Sequence, residues 1–333
     1  MGGHALSTEA VRMDNDRYAT VKAQILQKLK PYYRQCVVPF EKPGKTSHGD
    51  LDVICLMDKN TYPSGCDFRT ALKSTESKRN GHIVSFEYET HQIDVIHVST
   101  PEEFEFARFF YSFGDVGMIT GMILSTVGIK LTDKNLYLHL KNEQKTLHLT
   151  DDIMKTFAFM GYDYAQWVHN AIDTFKSEED IFKWIALNKF FRPEMFKRDG
   201  LRCKERKRDA DRPMFANFVT YCNKLMENIE KETIMKEKIQ YETAAQEAIR
   251  FFQREQELED LLTAAERKKV IDSKFNGHLI MKWIPGLQGA ALGKVKAAVK
   301  EKYPDDVLYK MSEDEIRYVT IETRSGMGPI NYR

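Results

Sequence analysis

Long hydrophobic runs are missing from this chain. No stretch approaches the roughly 20 predominantly apolar residues that a membrane-spanning helix needs. The opening residues, Met1-Gly2-Gly3-His4-Ala5-Leu6, have neither the charged nor the apolar region of a secretory signal. Cysteine is sparse: Cys36, Cys55, Cys66, Cys203 and Cys222 form no Cys-x-x-Cys pair and no zinc-ligand spacing, so they read as reduced, mostly structural thiols. An excess of either charge is absent too. The 50 Lys and Arg against 49 Asp and Glu leave a net charge of +1, so global charge does not argue for nucleic acid. No internal repeat is visible. These absences leave an intracellular, soluble protein, cytoplasmic or nuclear, with no membrane partner. At 333 residues and 42% hydrophobic content it is long enough for two or three compact domains.

Within that frame the chain alternates between strand and helix signals in its first half. Residues 8–30 place Val11, Tyr18, Val21, Ile25 and Leu29 near one helical stripe, ended by Pro31. Residues 36–40 are a short apolar strand. Asp50–Leu56 is a strand in which Leu51, Val53 and Cys55 alternate with Asp50, Asp52 and Ile54. Residues 82–88 and 91–98 read as two strands joined by a tight Glu89-Thr90 turn. Residues 101–127 make one or two helices interrupted at Gly114-Asp115. A hairpin follows, 129–132 against 136–140. Thr150-Asp151-Asp152 offers a helix N-cap, and nearly everything after it reads as helix to about residue 300, closing with a last helix over Leu292–Lys302. The tail after Ser325 reads as loose. The expected fold class is α+β, with a catalytic head over 1–127, a β-hairpin connector over 128–149 and a helical region over 150–333.

Asp50 and Asp52 lie two apart on a strand, so their side chains share a face. Two carboxylates on one face repel unless a cation lies between them. A hard, oxygen-seeking ion such as Mg2+ or Mn2+ suits that place and shares its shell with substrate phosphates. Asp94, between Ile93 and Val95, is the best third carboxylate, because an unpaired charge in an apolar strand is costly. The turn Gly44-Lys45-Thr46-Ser47-His48-Gly49, rich in hydroxyl and amide groups, can cradle a triphosphate beside them. It is not a Walker A loop, since the first glycine is missing and no helix follows. His97 is an odd number of residues from Asp94 and should face away from it. The aromatics from Phe104 to Phe113, and those from Phe182 to Phe196, read as core, and Arg108 among the first group could reach the cleft. Farther along, RDGLRCKERKRDADR from Arg198 to Arg212 is either a solvated face or a phosphate-contacting patch.

The stretch from Lys42 to Val53, ending in Gly-Asp-Leu-Asp-Val, resembles the DNA polymerase beta-like nucleotidyltransferase superfamily. The resemblance implies a small mixed sheet, Asp50 and Asp52 as ligands of two metal ions, and Asp94 as the carboxylate that helps to activate the attacking hydroxyl. The superfamily's Gly-Ser at the start of a helix upstream of the first Asp is replaced here by Val38-Pro39-Phe40. The phosphate-binding turn is therefore expected either from Gly44–His48 or from Gly2-Gly3. A second stretch, Phe275–Met281 followed by Pro285–Lys294 with Gly289-Ala290-Ala291-Leu292-Gly293, is similar to the late helical region of CCA-adding and poly(A)-adding enzymes. Most of the chain also looks like nucleotidyltransferase-like proteins of viruses and fungi.

The expected activity is metal-dependent addition of nucleotides from an NTP to an RNA 3′ end, without a template, with a tRNA as one candidate acceptor. Arg202, Lys204, Arg206, Lys207 and Arg208, together with Gly289, Gly293 and Lys294, would hold the RNA backbone. Transfer to a small molecule or a protein, and an inactive binding module, are the alternatives. The oligomeric state is not legible.

Overall fold

The computed structural model of the chain describes residues 3, 5–7, 9–57, 69–70, 72–141, 144–168, 175–228 and 241–328. Cys66 and Gly2 lie outside them. Cys36, Cys55, Cys203 and Cys222 are thiols. Helix α1 (Asn15–Leu29) starts where the Asp14 side chain accepts the Arg17 N–H. That capping bond sets the first turn, so the helix begins later than the hydrophobic spacing alone predicts. Residues ahead of it bond instead to segments between strands: the Val11 N–H donates to the Thr90 carbonyl in the Glu89-Thr90 turn at 2.9 Å, and Met13 bridges His48, just before the strand that starts at Asp50. Val11 therefore leaves the stripe and is exposed. The remaining stripe, Tyr18, Val21, Ile25 and Leu29, is buried.

Five strands form a mixed sheet in the order β1-β2-β5-β4-β3: β1 (Gln35–Val37), β2 (Asp50–Leu56), β3 (Ser77–Asn80), β4 (Ile83–Tyr88) and β5 (His91–Val98). The β2–β5 pair is parallel and the other pairs are antiparallel. Glu89 and Thr90, with φ of 48° and 69°, make the two-residue left-handed turn that a tight hairpin requires. One sheet face, with Leu51, Val53, Cys55, Ile93 and Val95, packs on the stripe of α1 in a single apolar cluster. The other face changes character along the strands. Asp50, Asp52 and Asp94 occupy its beginning, while Ile54, Leu56, Ile96 and Val98 occupy its end and pack on Phe104 and Ala107 of α2 (Pro101–Tyr111). The acidic site is thus confined to one end of an otherwise apolar face.

Phe113 and Gly114 adopt φ of 55° and 73° and break the helical run, so α3 (Val116–Thr126) is a separate element. A second sheet follows in the order β6 (Ile129–Leu131), β7 (Leu136–Leu140), β8 (Lys145–Thr150). The third strand is more than the hairpin that the sequence pattern indicated. After residue 150 the described residues contain helices and no strand. Helix α4 (Ile153–Met160) is capped by Asp152, and α5 (Glu178–Ile185) by a Ser177–Asp180 capping box. Phe104, Phe106, Phe109 and Phe113, and Phe182, Trp184, Phe190, Phe191 and Phe196, are buried, while Phe110 and Tyr111 are half-buried. Phe109 meets Phe157 edge-on at 4.9 Å, and Tyr162 stacks on Trp184 at 4.2 Å. Helices α6 (Cys203–Asp211), α7 (Pro213–Asn228) and α8 (Tyr241–Phe252) complete a first compact unit of residues 1–140 and 148–253. The positions 127 and 150 fall inside it, because the aromatics of α2 share their core with α4 and α5.

The second compact unit comprises residues 141–147 and 254–333. It holds α9 (Glu255–Lys274), α10 (Gly277–Trp283), α11 (Gly289–Lys302), α12 (Asp305–Lys310) and α13 (Glu313–Gly326). Ile271, Phe275, Ile280, Val295, Val299 and Ile316 are among its core. The helix expected over Leu292–Lys302 starts at Gly289 and is not the last. Pro304 and the Ser312–Glu315 capping box each begin a further helix. Among the described residues no helix is long and apolar enough to cross a membrane.

Burial of His97 is expected to give the first unit a pH dependence. His97 Nδ1 lies 3.0 Å from the His82 carbonyl and Nε2 lies 2.7 Å from the Tyr33 hydroxyl. A carbonyl only accepts, so Nδ1 carries the hydrogen and Nε2 accepts from Tyr33, which fits a neutral ring. Burial lowers its pKa. A histidine depressed on folding contributes stability above its ordinary pKa, about 6.5, and loses it as pH falls toward the folded value. The urea midpoint of the wild type should therefore fall between pH 7 and 5. His97→Gln, which also donates and accepts, should flatten that fall; an unchanged slope would place the titration elsewhere.

Candidate metal and nucleotide site

The parallel pairing of β2 with β5 sets Asp52 directly opposite Asp94 and Asp50 opposite Gln92. Register partners point to the same face, so the three carboxylates predicted from the sequence converge on one patch. Ser85 of β4 is the register partner of Asp94 on its other side. The electrostatics follow from this packing. Burial, then Asp50, Asp94 and Glu41, push the Asp52 carboxyl well above the usual carboxylate range, and Lys45 opposes them. Burial raises Asp94 as well, with Asp50 adding to it, against hydrogen bonds from Ser85 and Gln92. Such crowding of acids is costly without a cation.

Each outer carboxylate has a protein donor. The Gly3 N–H donates to Asp50 Oδ2 at 3.1 Å. Gln92 Nε2 lies 3.0 and 3.1 Å from the two oxygens of Asp94. Hydrogen bonds to charged groups contribute about 1.5–3 kcal/mol each, enough to hold a carboxylate in one orientation. The donor set fits a hard divalent cation: oxygen ligands only, on one face, with a nearby Lys for phosphate. Among the described residues no group of three or more His, Cys, Asp or Glu is placed so that it could hold a metal ion as it stands. A cation would have to draw these side chains together.

The turn 44–49 lies beside the aspartates and is tied into its own network. Lys45 Nζ meets Glu41 Oε2 at 2.6 Å, and the Tyr18 hydroxyl donates to Glu41 Oε1 at 2.6 Å. His48 is buried, stacked on Tyr18 with ring centroids 3.7 Å apart, and lies 3.0 Å from Asn15 Oδ1. Burial and then Lys45 lower its pKa. Ser47 accepts from Arg12 Nε at 2.8 Å. Gly44 has φ +70° and, like Thr46, is exposed, while Gly49 is buried. Lys45 is thus the residue of the turn with charge to offer a phosphate, and doing so would require it to leave Glu41. Arg108 binds both oxygens of Glu105 at 3.0–3.1 Å and lies over the Phe40 ring. His97 faces away from Asp94, as its spacing predicted.

Gly3, expected from the sequence as part of a phosphate-binding turn, instead donates its N–H to Asp50, and Glu41, Tyr18, Ser85 and Gln92 were not among the expected site residues. Only Gln92 left a signal: it precedes Asp94 by two, as Asp50 precedes Asp52, and so shares its face. The others reach the site through folding.

The basic residues of α6 divide into two kinds. The Arg202 guanidinium Nε and backbone N–H each bind Glu205 at 2.7 Å, and Arg206 donates to the Leu201 carbonyl at 2.6 Å. Lys204 and Lys207 are exposed, and Arg208 is half-buried. In the second unit, Gly289 opens α11 with φ +57°, and a Cβ added at Gly289 or Gly293 would meet nothing within 4 Å. Lys294 is exposed beside them. The first turn of α11 therefore offers open backbone N–H groups, with no side chain capping them.

Comparison with protein-family models and with curated proteins finds no match for this chain.

Proposed function

We propose that the protein is a metal-dependent nucleotidyltransferase that adds nucleotides from an NTP to an RNA 3′ end. The observation that carries this reading is the register pairing of Asp52 with Asp94 beside Asp50, with the Asp52 carboxyl pushed up by burial and by its acidic neighbours. Asp50 and Asp52 would hold Mg2+ or Mn2+, and Asp94 would assist the attacking 3′ hydroxyl. Such ions neutralise charge developing on the attacking and leaving oxygens. The chain's own residues orient the carboxylates and, through Lys45, offer a cation to the phosphates. The exposed Lys204 and Lys207, and in the second unit Lys294 with the first turn of α11, supply contacts for an RNA backbone, which position the acceptor and do no chemistry.

The internal pairing of Lys45, Ser47 and His48 favours a second reading, a binding module that keeps the fold without transfer. Labelled NTPs incubated with Mg2+ or Mn2+ and total RNA, with products resolved by size, separate the two. Extension of RNA by labelled nucleotide supports transfer. Label appearing only in protein or a small molecule moves the acceptor. NTP binding without any product favours the inactive module.

A further inference from the structure

Gly3 and Ala5 are built into the carboxylate patch. Gly3 is buried, with φ +88°, and a Cβ on it would lie 2.5 Å from the Gly49 carbonyl, so only glycine brings the backbone this close. From there three N–H groups are engaged in turn. Gly3 donates to Asp50 Oδ2 at 3.1 Å, Ala5 to Gln92 Oε1 at 2.9 Å, and Ser7 to Glu76 Oε1 at 2.7 Å. Gln92 is itself buried, 2% exposed, and passes the contact on through Nε2 to both oxygens of Asp94. The segment is then secured by Val11 on Thr90, Met13 on His48 and Arg12 on Ser47.

We propose that Gly3 and Ala5 position the metal ligands, Gly3 acting on Asp50 directly and Ala5 on Asp94 through Gln92. This rests on the metal reading of the three aspartates given above. A carboxylate has two oxygens and several lone pairs, so a donor on one side fixes its plane and leaves the other side for a cation. Partners of this kind orient a metal's ligands, and losing one typically costs about 10–100-fold in metal affinity. Gly3 and Gln92 are positioning residues, since neither offers itself to the ion. Tight packing of Gly3 on Gly49 and anchoring at successive odd positions distinguish the segment from a loose cover over the site.

The test is Mn2+ affinity, read from the electron paramagnetic resonance of free Mn2+, with melting temperature recorded for each variant of the full chain. Gln92→Ala removes the donor to Asp94. Ala5→Pro removes the N–H that orients Gln92 while also fixing φ at that residue, a backbone restriction that the Ser7→Pro control shares, and keeps the test open should Gln92→Ala fail to fold. Ser7→Pro removes the bond to Glu76, which leads to no proposed ligand. Expected is Mn2+ binding by wild type and its loss in Asp52→Asn. Ala5→Pro and Gln92→Ala should bind at least about tenfold more weakly at little changed melting temperature, with Ser7→Pro like wild type. Wild-type affinity in both Ala5→Pro and Gln92→Ala, with Asp52→Asn still defective, overturns the positioning role alone. Equal Mn2+ binding, or none, in wild type and Asp52→Asn overturns the metal reading and this proposal with it.

Discussion

Asp52→Asn is expected to lower nucleotide transfer by about three orders of magnitude, because an interaction that supplies several kcal/mol to the transition state is removed and each 1.36 kcal/mol is tenfold in rate. The same change should not unfold the protein, and without metal it should stabilise it. Burial and the charges of Asp50, Asp94 and Glu41 raise the Asp52 pKa on folding. For a carboxyl raised in this direction the folded state holds its proton more tightly than the unfolded chain. The penalty is absent below the ordinary carboxylate range and grows as pH rises above it toward the folded pKa. At neutral pH the metal-free wild type carries that penalty, and the amide does not. Thermal melts with and without Mg2+ check both halves. The metal-free variant should melt at or above wild type, and Mg2+ should raise the melting temperature of wild type only. A metal-free variant that melts well below wild type would make Asp52 a structural residue.

Reversing charge at Lys204 and Lys207 is expected to weaken RNA binding and flatten its salt dependence. Of the five basic residues between Arg202 and Arg208, these two are the better probes. Arg202 is held by Glu205 and Arg206 by the Leu201 carbonyl, so changing either would disturb the start of α6. Lys204 and Lys207 are exposed and three apart on a helix, hence on one side of it. Each phosphate neutralised on a single strand contributes about −0.7 to the slope of log affinity against log salt. Lys204→Glu with Lys207→Glu should therefore make that slope shallower by about 1.4 if both touch phosphate. NTP binding at the aspartates should be unchanged. Filter binding over a range of salt concentrations measures both. A double variant with wild-type affinity and slope would make this helix a solvated face. No RNA binding by wild type at low salt would remove RNA as the acceptor.

The aspartates were legible because their signal is local. A period of two along β2 places Asp50 and Asp52 on one face, and apolar neighbours around Asp94 mark a charge that needs a reason to be there. The hairpin of β4 and β5 was legible too, since a two-residue gap between strands leaves few turns. Helix starts were less so: the stripe of α1 continued back to Val11, but the Asp14 cap and the bonding of Val11 to Thr90 and Met13 to His48 decided where the helix began.

Composition and periodicity alone determined the α+β class, the helical second half, the aromatic core and the carboxylate pair, all of which depend on spacing within one element. Tertiary structure alone decided which strand lies beside β2, and hence that Asp94 faces Asp52. It also decided that Glu41 and Tyr18 stand beside the carboxylates, that Lys45 is paired, and that Gly3 reaches Asp50 from 47 residues away in the chain. The physical reason is the same in each case. Side-chain direction follows from local backbone geometry, whereas the neighbours that set a charge's cost are chosen by how the elements pack.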